Sequence, residues 1–149
     1  MIIIKEVSYD NIFDVCELTT NKDGIGTTME EFICCNAISI AESKYYSEMY
    51  PKAIYSGNTL IGFFMYKQTK AEQDIAVICR FMIDYKYQGK GLGRESFVAI
   101  LSYFRQSEFK KIVLMIDENN IIAKKLYISF GFKFNGMIEK DEYYYELLL

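Results

Sequence analysis

The 149-residue sequence contains no histidine. That excludes Ser-His-Asp triads, Cys-His dyads and histidine-containing metal sites, so any chemistry falls to tyrosine, cysteine, carboxylates, lysine or the backbone. Cysteine is sparse. Cys16, Cys34, Cys35 and Cys79 form no C-x-x-C pair, and adjacent Cys34 and Cys35 make a poor disulfide, so the four read as reduced, mostly buried thiols. No apolar run approaches the roughly 20 residues that a transmembrane helix needs. Met1-Ile2-Ile3-Ile4-Lys5 lacks the basic start and long apolar stretch of a signal peptide. A cytoplasmic protein with no membrane partner is expected. With a net charge of −3 there is no excess of positive charge for a broad nucleic-acid surface, and no nucleic-acid partner is expected. An acidic balance suits a cationic small substrate without establishing one. Proline occurs once, at Pro51, and no linker, repeat or low-complexity segment interrupts the chain. At 51% hydrophobic and 25% charged residues, the composition is that of a globular protein, and the length fits one domain spanning 1–149.

What is present alternates strand-like and helix-like patterns. Ile2 to Val7 reads as a strand, and Asp10 to Leu18 as a short helix with Ile12, Val15 and Cys16 at helical spacing. Thr19 to Gly26 is a loop. Thr28 with Glu31 three residues on forms a capping box, which predicts a helix burying Met29, Phe32, Ile33, Ala37 and Ile40. Pro51 marks the exit from the next loop. Lys52 to Tyr55 and Leu60 to Gln68 flank a Ser56-Gly57-Asn58 hairpin turn. Ile75 to Asp84 is apolar on both faces, as in a central strand, with Arg80 the exception. A helix follows with Phe97, Ile100, Leu101 and Phe104 on one face. Then come a strand from Lys111 to Ile116, a helix from Asn120 to Phe130 stopped by Gly131, and two strands turning at Lys140-Asp141. The order predicts one α+β domain with a mixed sheet.

Between the central strand and the helix that follows it lies Tyr87-Gln88-Gly89-Lys90-Gly91-Leu92-Gly93-Arg94. Closely spaced glycines bring backbone N–H groups near a ligand, and a helix start adds unpaired donors, which together suit a phosphate or pyrophosphate. A Walker loop requires Ser or Thr after the lysine, yet Gly91 follows Lys90. A dinucleotide fingerprint requires G-x-G-x-x-G directly after a strand, yet the spacing here is G-x-G-x-G and four residues separate Asp84 from Gly89.

Gln88-Gly89-Lys90-Gly91-Leu92-Gly93 resembles the Gln/Arg-x-x-Gly-x-Gly/Ala loop of the GCN5-related N-acetyltransferases (GNAT). About 30 residues later, Asn120-Ile121-Ile122-Ala123-Lys124-Lys125-Leu126-Tyr127-Ile128-Ser129-Phe130-Gly131-Phe132 resembles that family's Asn-x-x-Ala-x-x-Leu-Tyr-x-x-x-Gly-Phe segment. A narrower resemblance, to spermidine/spermine (diamine) N-acetyltransferases, rests on Arg80-Phe81-Met82-Ile83-Asp84, Tyr87 to Gly91, and Glu118-Asn119-Asn120.

The resemblance implies the GNAT fold, a mixed, mostly antiparallel seven-stranded sheet flanked by about four helices. It implies acetyl-CoA as cosubstrate, no metal, and a small-molecule amine as acceptor, with polyamines foremost. Backbone amides of Gln88, Gly89, Lys90, Gly91, Leu92, Gly93 and Arg94 would hold the pyrophosphate, with charge from Lys90 and Arg94. The alternative for these two is a solvated loop charge. The backbone of Phe81, Met82 and Ile83 would pair with the pantetheine arm. Asn120 would hydrogen-bond that arm or cap its helix. Tyr127, which periodicity alone makes a core residue, would protonate the departing thiolate.

Polyamine acetylases tend to carry a carboxylate where this chain has Cys79; the base is then another carboxylate, a water chain or no residue at all, and Glu72, Asp74 and Asp84 are candidates by sequence proximity alone. Glu30, Glu31, Glu42 and Glu48 could meet a cation, but they read as a solvated helix face and receive no role. Other small amines, a protein amine, and a CoA-binding sensor module remain open alternatives. Dimers are common in the family, and Leu147-Leu148-Leu149 offers an apolar end for edge pairing or strand exchange in a homodimer.

Overall fold

Phe63, Phe64, Met65 and Tyr66 are all buried, so the strand that carries them is covered on both faces. This strand is β3 (Thr59–Lys67) in a computed structural model that describes residues 1–149. It pairs with β2 (Met49–Ser56) on one side and β4 (Ile75–Ile83) on the other, both antiparallel. β1 (Ile2–Glu6) adds to β2. Beyond β4 come β5 (Lys111–Asp117), β7 (Glu142–Leu148) and β6 (Lys133–Glu139), giving the order β1-β2-β3-β4-β5-β7-β6. Only the β4–β5 pair is parallel. The sheet is therefore mixed and mostly antiparallel, with seven strands and four helices, as the resemblance implied.

Alternation along the strands divides the core in two. On one face, Ile54, Phe64, Ala76, Ile78 and Ile83 pack with Phe97, Ile100, Leu101 and Phe104 of α3 (Leu92–Gln106) and with Tyr127 of α4 (Ile121–Ser129). On the other, Ala53, Phe63, Met65 and Met82 pack with Val15 of α1 (Ile12–Glu17) and Ile40 of α2 (Asn36–Tyr45).

Two expectations change. The capping box at Thr28 and Glu31 does not form, and the helix begins at Asn36. Met29 and Cys34 bridge instead, closing a tight turn. Glu30 points back into the preceding loop, where Thr19 and Thr20 donate to its carboxylate. Met29 and Phe32, expected inside, are exposed. Pro51 lies within β2 rather than at its entrance. Pairing with β1 stops at Lys52, so a residue without an N–H sits where one flank of the strand is already free.

Candidate active site

β4 and β5 run side by side only from Ile75/Lys111 to Ile78/Leu114. Beyond that point β4 stays with β3, and β5 stays with β7 as far as Asp117. The two central strands part, and β4 from Cys79 to Ile83 keeps one unpaired edge. Backbone N–H and C=O groups left unpaired between strands are an invitation to an extended ligand. A bulge marks the apex: Met65 faces Arg80 and Tyr66 faces Ile78, so Cys79 has no partner on β3.

At the open end of β4 the chain makes a single 3₁₀ turn, Tyr85–Tyr87. Asp84 caps it, accepting from Lys86 N at 3.1 Å and from Thr19 N at 3.0 Å. This turn occupies the residues between the strand and Gly89. Gln88 Nε2 then donates to the Ile83 carbonyl at 2.8 Å, folding the loop back on the strand end. Gly89 (φ +73°) and Gly91 (φ +81°) are left-handed, a conformation that side chains resist, and each faces open space. Gly91 is the N-cap of α3 and supplies no capping side chain, so the first-turn N–H groups of the helix lie at this opening. Lys90 Nζ donates to the Lys86 carbonyl at 3.0 Å. Arg94 donates to Ser129 Oγ at 2.7 Å and lies 4.6 Å from the Phe130 ring centroid, tying α3 to α4. Both cations remain exposed to solvent beside the loop, each with one such tether.

Asn120 caps α4, its Oδ1 accepting from Ala123 N at 3.3 Å, which leaves its amide nitrogen to donate elsewhere. Tyr127 is 8% exposed and packs at a tilt against Phe97, with ring centroids 5.0 Å apart, and Phe132, at 5.9 Å. Phe97 in turn touches Phe81 at 5.5 Å, so one aromatic chain links Tyr127 to the unpaired stretch of β4. Burial pushes the Tyr127 hydroxyl well above its ordinary range, so it stays protonated at neutral pH.

The candidate bases fare differently. Asp84 is buried and has backbone N–H donors on both oxygens. Asp74 sits beside Lys110 before β4 begins, and Glu72 is exposed on the loop ahead of it. Burial chiefly, with the charge of Glu42 adding to it, pushes the Cys79 thiol up against the opposing pull of Arg80 and Lys67. A thiol held neutral accepts no proton from an amine. Sequence reading missed the partners of Arg80. Its Nη1 donates to the Cys79 carbonyl at 2.9 Å, its Nε to Cys34 Sγ at 3.1 Å, and its Nη2 lies 3.5 Å from Glu42 Oε2. Only the solitary charge in an apolar strand hinted at them.

The arrangement offers an extended groove of backbone groups, a helix start for an anion at one end, and a buried, protonated tyrosine behind Phe81 and Phe97. An elongated ligand with an acidic terminus fits these features.

Comparison with known proteins gives a consistent picture. The model of the acetyltransferase (GNAT) family matches residues 23–132. The spermine/spermidine N(1)-acetyltransferase of Bacillus subtilis (strain 168) is 33% identical over 142 residues, which cover 91% of this chain and 90% of that one. Among solved structures, the spermidine N-acetyltransferase of Vibrio cholerae in complex with CoA and spermine superposes with a TM-score of 0.73. It has 17% identity, covering 99% of this chain and 95% of that one. The ribosomal-protein-S18-alanine N-acetyltransferase of Escherichia coli also gives 0.73, at 15% identity over 99% and 94%.

Proposed function

Because this chain belongs to the acetyltransferase (GNAT) family and is an acetyl-CoA-dependent acyltransferase, we propose that its acceptor is a polyamine such as spermidine or spermine. The acetyl group passes to a primary amine directly, within a ternary complex. The observation that carries this reading is the parting of β4 from β5 beside the Gly89–Gly93 loop. Similarity along nine-tenths of a spermine/spermidine acetylase supports the acceptor class.

In this reading Gln88 to Arg94 receive the pyrophosphate at the start of α3, with Lys90 and Arg94 adding charge. Phe81, Met82 and Ile83 offer backbone groups to the pantetheine arm, and the Asn120 amide adds a donor. Tyr127 gives its proton to the departing sulfur. Four unpaired cysteines suit a reducing cytoplasm, which is the proposed compartment. No helix is long and apolar enough to cross a membrane. A homodimer formed through the β6 side of the sheet is the proposed assembly.

The test is thiol release from acetyl-CoA over a panel of spermidine, spermine, other small amines and a peptide with a free N-terminus. Fastest turnover on the polyamines is expected, and preference for another amine would overturn the acceptor class. The neutral thiol at Cys79 favours a second reading, a CoA-binding module without turnover. CoA binding with no transfer to any amine would establish it.

A further inference from the structure

The bulge at Cys79 places a carboxylate at the cleft apex from an unexpected element. Cys79 packs on the α1/α2 face of the sheet, and Arg80 reaches the same side to meet Glu42 of α2. Glu42 and Arg80 side chains are 27% and 24% exposed, so both are open to solvent. Arg80 is held at 2.9 Å by the Cys79 carbonyl and at 3.1 Å by Cys34 Sγ. Its contact with Glu42 is the longest of the three, 3.5 Å, and engages Oε2. Arg80 is thus anchored without Glu42, and Glu42 is free to accept from a second donor.

Resting on the polyamine acetyltransferase reading above, we propose that Glu42 is a catalytic residue: it receives the acceptor ammonium at the apex of the cleft and takes its proton. It supplies from α2 the carboxylate that Cys79 does not supply from β4. The groups facing this point are Arg80 and Cys79 from β4, Cys34 from the loop before α2, and Lys67 from β3, which Glu48 holds at 3.0 Å. The carboxylates Glu42 and Glu48 balance Arg80 and Lys67.

The nitrogen loses one proton to Glu42, and its lone pair then forms the C–N bond at the acetyl carbonyl carbon. As the C–S bond breaks, Tyr127 protonates the sulfur. The nitrogen's second proton replaces the one Tyr127 gave, and Glu42 returns its own to water. The products are the N-acetyl amine, CoA thiol and one proton.

The experiment measures kcat/KM for spermidine against pH, with wild type, Glu42→Gln and Arg80→Met, each checked for CoA affinity and melting temperature. Glu42→Gln is expected to keep its CoA affinity and to lose about 10²–10⁴-fold in rate near neutrality. The loss should shrink as pH rises and free amine becomes abundant. Arg80→Met is expected to lower the rate while keeping the wild-type pH profile. A Glu42→Gln loss equal at every pH, or no larger than that of Arg80→Met, overturns the proposal and reduces Glu42 to an anchor. If Gln at this position unfolds the chain, Glu42→Asp carries the test. A rate loss that shrinks as pH rises supports the role, and an unchanged rate or a loss equal at every pH overturns it. A wild type that acetylates no amine overturns the functional reading together with this proposal, and the wild-type assay alone distinguishes that outcome.

Discussion

Tyr127 is a core residue to which the proposed reaction also assigns chemistry. Its ring fills the space between Phe97 and Phe132, and replacing it with phenylalanine keeps that packing. The expected outcome for Tyr127→Phe is a kcat lowered by about 10²–10⁴-fold with CoA affinity nearly unchanged, read by steady-state kinetics and by titration with CoA. Unchanged kcat would rule out the proton-donor role. The pH dependence follows from burial, which raises the hydroxyl above its ordinary value of about 10. A group raised on folding keeps its full stabilising effect below the unfolded value. No alkaline loss of activity or stability from Tyr127 is therefore expected until pH exceeds about 10. Glu30 titrates with the opposite sign. Burial alone would raise its carboxyl, but hydrogen bonds from Thr19, Thr20 and Thr27 outweigh burial and hold it below the usual range. Its contribution is present above about pH 4.3 and is lost as pH falls through the lowered value. Glu30→Gln should cost about 1–3 kcal/mol at neutral pH and flatten the acid limb of the stability profile, measured by urea unfolding across pH.

At the level of elements, the cleft depends on how closely β3 lies against β4. Gly62 sits opposite Ile83, and a Cβ there would come within 2.5 Å of the Met82 carbonyl oxygen. Gly62→Ala must push β4 away from β3, in the stretch whose other edge faces the proposed pantetheine arm. A loss of about 1–3 kcal/mol is expected, with weaker CoA binding; a melting curve and a CoA titration check both. Much of this architecture was legible. Strand periodicity located β3 and β4, Asn120 and Gly131 bracket α4, and the chain turns at Lys140 and Asp141 as anticipated, both with positive φ. These features are local, set within a few residues. The Thr28–Glu31 signal failed because Glu30 finds better partners in Thr19 and Thr20, a competition invisible to a four-residue pattern. The meeting of Glu42 with Arg80 spans 38 positions and depends on a bulge, so no spacing rule could announce it. Asp84 likewise looked like a free carboxylate until its backbone donors were seen.

At the scale of the whole molecule, the two borders of the sheet differ. β1 is partly covered by packing of Ile2 and Ile4 against the core on the α3 side. β6 bonds only to β7, and every one of its residues is exposed, including Phe134, Met137 and Ile138. The C-terminal leucines do not provide the edge that sequence suggested. β7 lies between β5 and β6, and Leu147 and Leu149 pack inward, leaving Leu148 open. Between Phe134 and Ile138 the β6–β7 register slips, with Gly136 at φ +92°. Such a break discourages continuous strand-to-strand pairing, so a second copy would meet this border through its apolar side chains. Burying them on association contributes about 25 cal/mol per Å² of apolar surface, before the cost of bringing two molecules together. Sedimentation is therefore expected to give twice the 17.4 kDa chain mass. Met137→Lys, which puts a charge into that contact, should shift the population to single chains without changing CoA affinity, because β4, which leads into the Gly89–Gly93 loop, is separated from β6 by β5 and β7. A wild type that sediments as one chain at tens of micromolar would leave β6 an ordinary solvated border.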